Sequence, residues 1–119
     1  SYTFKVNRKE RRAALRSALS LHASRGSIAV LDIAAFETPS TKTAASLLAE
    51  WGEPRPTLVV VGADEREAAL SFRNLDRVAV LTPSSVGIAD IVGAASLIAT
   101  KAALDELVER ATAAVREEA

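Results

Sequence analysis

The 119 residues include 15 Lys plus Arg, 15 Asp plus Glu, one His, no Cys and no Met, and 49% of them are apolar. A chain of that size and composition is expected to form one domain, residues 1–119, around its own core, and it lacks the residues for a disulfide framework, a thiolate nucleophile, a zinc finger or a histidine-rich metal site. No apolar run reaches the roughly 18 residues that a membrane span needs, and no signal-peptide pattern opens the chain, so the expectation is a cytoplasmic, soluble domain with no membrane partner.

Residues 1–7 are expected to form an N-terminal strap. Asn7 then caps a helix whose third residue is Glu10, an approximate capping box, and which runs from Arg8 to about Ala23. At about 100° per residue, Leu15 and Leu19 share a face flanked by Ala14, Ala18 and Leu21, while Lys9, Arg12 and Arg16 form an adjoining cationic stripe. Arg8 and Arg11 stand at the helix start. His22 falls near the Leu15 and Leu19 side, where a packed or solvated imidazole outweighs a catalytic base.

Gly26 stops this helix, and Ser27–Asp32 is a short apolar run that reads as a buried strand. After Thr38-Pro39, the Ser40–Trp51 stretch is helical by composition and ends at Gly52, with Pro54 and Pro56 beyond. Thr57–Gly62 is the clearest strand. Asp64 is expected to cap a helix through about Arg73, Arg77–Leu81 is a third strand, Ile88–Val92 a short helix, and Ser96–Ala99 a fourth strand. A last helix starts near Thr100 and runs to about Arg116, with 117–119 a frayed tail. Helices alternating with uninterrupted apolar strands predict an α/β fold of three layers: a mainly parallel four-stranded sheet with helices on both faces, Rossmann-like in topology. Leu15, Leu19, Val59, Val60, Val61, Val78, Val80 and Ile98 are the predicted core.

In such a sheet, functional groups gather at the carboxyl ends of the strands, here Asp32, Gly62 to Asp64, Thr82 and Thr100. The chemistry there argues against an enzyme. Gly62-Ala63-Asp64-Glu65-Arg66-Glu67 is no Gly-x-Gly-x-x-Gly, its acids would repel a phosphate, and neither a Gly-Lys-Ser/Thr loop nor a Gly-x-Ser-x-Gly elbow occurs. No cofactor and no small-molecule substrate is therefore expected. Asp32 and Asp64 could be paired carboxylates around a divalent ion, but a solvated strand-end residue and a helix cap account for them more simply. Trp51 before Gly52 reads as a packing cap against the sheet rather than a stacking platform, and Phe4, Phe36 and Phe72 are not clustered as in an RNA-recognition sheet.

The zero net charge conceals a polarity. Residues 1–25 carry seven cations (Lys5, Arg8, Lys9, Arg11, Arg12, Arg16, Arg25) against Glu10 alone, net +6, which leaves the other 94 residues at −6. Cations in a helix's first turn oppose its macrodipole, a cost that a phosphate partner would offset, so a nucleic acid suits this end of the chain better than a solvated face.

Four stretches carry a resemblance. The basic Lys5-Val6-Asn7-Arg8-Lys9 run followed by Ala14-Leu15-Arg16-Ser17-Ala18-Leu19-Ser20, then Pro39-Ser40-Thr41-Lys42-Thr43, then Ser71-Phe72-Arg73-Asn74-Leu75, and Thr100-Lys101-Ala102-Ala103-Leu104 resemble, in order and spacing, the bacterial large-subunit ribosomal protein four (L-four) family. The resemblance implies a non-enzymatic α/β protein of the large ribosomal subunit that binds large-subunit rRNA early in assembly, beside neighbouring ribosomal proteins, and reaches the peptide exit tunnel through a long basic loop. The Ser1-Tyr2-Thr3-Phe4 start resembles the point where family members re-enter the globular part, so the N-terminal segment and that loop are expected to be missing here. Gly87–Ala95 departs from the family, which places an aromatic and basic residues there. By matching position, the resemblance assigns rRNA contacts to Arg8, Lys9, Arg11, Arg12, Arg16, Thr41, Lys42, Arg73 and Asn74, the last two being equally a helix C-terminal cap. Two other classes stay open: a metal-dependent phosphotransfer or small-molecule-binding domain on Asp32 and Asp64, and a protein-interaction module on the amphipathic first helix or the acidic last one.

Overall fold

A computed structural model describes residues 8–117, with side chains described for 12–112; the strap at 1–7 and the Asn7 cap lie outside it. Helix α1 (Arg8–Arg25) leads through Gly26, at φ +71°, into strand β1 (Ile28–Leu31). A 3-10 turn (Ile33–Phe36) follows, then α2 (Thr41–Trp51), β2 (Thr57–Val60), α3 (Arg66–Phe72), β3 (Val78–Leu81), α4 (Ile88–Gly93), β4 (Ser96–Thr100) and α5 (Lys101–Glu117). The stop signals act locally: Ser40 accepts the Thr43 N–H at the start of α2, and Gly52, left-handed at φ +73°, returns its N–H to the Leu48 carbonyl.

The four strands form one parallel sheet in the order β1-β4-β2-β3. Alternate residues face opposite layers. Leu58, Val60, Leu97 and Ala99 pack with Leu15, Ala18, Ile91, Ala103, Leu107 and Ala111 of α1, α4 and α5. Leu31, Val59, Val61 and Ile98 pack with Phe36, Ala44, Leu48, Ala68 and Phe72 on the α2–α3 side. The chain steps in one direction across the sheet through α2 and α3 and back through α4, so a single crossover hand puts α4 on the other face. The central strands β2 and β4 are buried throughout; Val78 and Val80 are half-buried because β3 is an edge.

Two expectations need correction, and one turn was not anticipated. Asp64 does not cap α3: the cap position is Glu65, the helix starts at Arg66, and Asp64 is exposed. Leu21 is 51% exposed rather than flanking the core, because the inward stripe of α1 is Leu15, Ala18 and His22. The Ile33–Phe36 turn, which no expectation covered, carries Phe36 onto Phe72, ring centroids 5.3 Å apart. His22 is buried as a packed residue, its Nδ1 2.7 Å from Ser27 Oγ and its Nε2 2.8 Å from the Ile91 carbonyl; the carbonyl needs a donor, so Nε2 carries the proton. Trp51 packs partly buried against the α2–α3 layer, as a packing cap should.

Candidate RNA interface

Of the cationic stripe, Arg12 and Arg16 belong to α1 in the layer it shares with α5. Arg16 is not wholly available there, because its guanidinium donates to the Ala111 carbonyl at 2.6 Å and ties the two helices. Arg12 is half-buried beside it. The side chains of Arg8, Lys9 and Arg11 lie outside the described residues.

A second basic surface forms on the opposite face of the sheet. The Ser40 N–H donates to Ser71 Oγ at 2.8 Å, joining the start of α2 to the end of α3, and Ser71 in turn donates to the Glu67 carbonyl. Thr41 and Lys42 follow Ser40 directly, and Arg73 and Asn74 stand two and three residues past Ser71, so the backbone of all four lies near that bond. Each is exposed. Arg73 also holds the C-cap position of α3 through its backbone N–H to the Ala69 carbonyl, which leaves its guanidinium uncommitted. Among the described residues these two cations and two neutral hydrogen-bonding groups have no protein partner, the mixture that positions a phosphate–sugar backbone. The described candidates therefore fall on two faces of the sheet, Arg12 and Arg16 on one and Thr41, Lys42, Arg73 and Asn74 on the other, rather than on one patch.

At the strand ends, the place where phosphate sits in nucleotide-binding sheets is filled by the chain itself. Glu65 Oε1 accepts the Gly62 N–H and the Thr100 hydroxyl, each at 2.6 Å, and Thr100 Oγ1 accepts the Ala103 N–H at the start of α5. Asp32 accepts the Ala34 N–H at 3.0 Å and caps the 3-10 turn. Among the described residues, no three of His, Asp and Glu converge to hold a metal ion. An open groove of about 530 Å³ runs beside Glu65, between the end of β1 and the start of α5.

The sequence model of the ribosomal protein L4/L1 family matches residues 1–110. The chain belongs to that family. It is 46% identical over 106 residues to the large ribosomal subunit protein uL4 of Rubrobacter xylanophilus, an alignment covering 89% of this chain and 50% of that protein. The chain thus spans half the length of that relative. The L4/L1 family is one of ribosomal structural proteins, not of enzymes.

In this L4/L1-family chain several arginines serve the fold. Arg110 donates to the Val86 carbonyl at 2.9 Å and to that of Pro83, holding the 82–87 loop on α5. Arg55 donates to the Asp76 carbonyl and Arg77 to the Arg55 carbonyl, clasping the turns before β2 and β3. The residue sequence reasoning missed is Glu65. Its signal was the Gly62-x-x-Glu65 spacing, which places a carboxylate back on a backbone N–H as a capping box does, and Asp90 repeats the arrangement on the Gly87 N–H at 2.7 Å.

Proposed function

We propose that this chain is a structural piece of the large ribosomal subunit that binds large-subunit rRNA through α1 and through the α2–α3 seam, beside neighbouring ribosomal proteins and in support of subunit assembly. The two exposed cations near the Ser40–Ser71 bond support the reading: among the described residues neither the Lys42 nor the Arg73 side chain has a protein partner. Lys42 and Arg73 contact phosphates, Thr41 and Asn74 the sugar or a base edge. The basic first 25 residues, net +6, supply a second footprint. Family membership supports this function.

The test is a salt series with one large-subunit rRNA fragment. Lys42→Gln with Arg73→Gln should lower the log–log salt slope by about 1.4 to 1.8, since each phosphate contact contributes about 0.7 to 0.9. Lys101→Gln, whose ammonium pairs with Asp105 on α5, should leave the slope unchanged. An equal slope for the double variant and the unaltered chain would remove the seam from the interface.

A further inference from the structure

Among the described residues β1 is the outer strand of the sheet, with no strand on its other side. The Leu97 N–H bonds the Ser27 carbonyl, so in a parallel ladder the odd-numbered residues of this strand face β4, while the N–H and C=O of Ile28 and Val30 point away from it. Val30 is 58% exposed and Ile33, just beyond the strand, 45%. Both line the groove at this edge, together with Asp32, Glu65, Asp105 and Lys101. Three carboxylates stand there against one ammonium, and that ammonium is 3.6 Å from Asp105. A small anion is not the matching ligand, because Glu65 already occupies the start of α5.

We propose that the open edge of β1 and its acid-rimmed groove seat an extended strand of another polypeptide in which lysine or arginine alternates with apolar residues. Period-two alternation puts the two kinds of side chain on opposite faces of the added strand. Its cationic side faces α5, where the aliphatic stems lie along Val30 and the charged heads reach Asp32 and Asp105. Main-chain bonds go to Ile28 and Val30. A second copy of this chain fits poorly, since two β1 edges would bring the same carboxylates together.

The experiment uses the full chain, isotopically labelled, and two synthetic hexapeptides, Lys-Val-Lys-Val-Lys-Val and Glu-Val-Glu-Val-Glu-Val, both blocked at their ends. The basic peptide should shift the backbone amides of Ile28 to Ile33 and of Lys101 to Asp105, and the acidic one should bind at least tenfold more weakly. Asp32→Asn with Asp105→Asn keeps the cap geometry and should weaken the basic peptide at least fivefold; Val30→Lys, on an exposed side chain that folding does not need, should weaken it as much. The proposal is overturned if both peptides bind equally or not at all at millimolar concentration, or if the shifts fall on α1 or the α2–α3 seam. Shifts that depend on protein concentration without peptide would make a second copy the occupant. Binding that tightens when residues 1–7 are deleted would make that segment the occupant; either result overturns the assignment.

Discussion

On the α2–α3 side of the sheet, Phe36 and Phe72 fill the space between helix and strand, whereas on the α1–α4–α5 side alanines at Ala18, Ala94, Ala103 and Ala111 let the helices approach and polar bonds fasten them. His22 reaches Ser27 and the Ile91 carbonyl, and Arg16 reaches the Ala111 carbonyl, all within this second layer. The first layer is held by volume and the second by complementarity of donors and acceptors. The difference matters for the candidate interface, because the layer that uses arginine to hold itself together has fewer cations left for a partner.

The contrast can be broken most sharply at Phe72, which is fully buried. Phe72→Ala should cost about 3–5 kcal/mol in urea unfolding, the range for emptying a core aromatic site. A loss below about 1 kcal/mol would mean that this layer is not held by volume. On the other side, His22→Ala should cost about 2–3 kcal/mol by leaving the Ile91 carbonyl and Ser27 hydroxyl short of a partner, and His22→Phe, which restores bulk but not the bonds, should recover less than half of it. Full recovery in the Phe variant would erase the distinction between the layers. The smallest effect lies at the strand ends: Glu65→Ala should cost about 1–2 kcal/mol by freeing Gly62 and Thr100, while Asp64→Ala stays within about 0.5 kcal/mol. Thermal unfolding of the two variants side by side reads the difference, and reversed costs would restore Asp64 as the cap.

The alternation of strands and helices was legible because its signals are local. Thr57–Val60 is an unbroken apolar run, and Gly26 and Gly52 stop their helices at left-handed positions where other residues would be strained. The choice between Asp64 and Glu65 was not legible from cap preference, since both are acids at the right distance and only the position of Thr100, brought close by the sheet, selects Glu65. The Ile33–Phe36 turn was hidden in an apolar stretch that continues the strand's composition past Asp32. For the interface, sequence position supplied Thr41, Lys42, Arg73 and Asn74 as separate candidates. The Ser40–Ser71 bond, a tertiary contact with no sequence period, brings the two segments near each other. Arg16 shows the converse: helical spacing put it on a cationic stripe, and only the neighbouring helix reveals that it serves as a brace.

The carboxylate of Glu65 gives the scaffold an evolutionary direction. Sheets of this design commonly acquire chemistry at the ends of their inner strands, yet here the vacancy that a cofactor would need is already tenanted by a side chain bonded to Gly62 and Thr100. A lineage starting from this chain would approach catalysis by losing a residue rather than by gaining one. So long as Glu65 stays, selection is steered toward the outer surfaces, where the chain can change its contacts without reopening its centre.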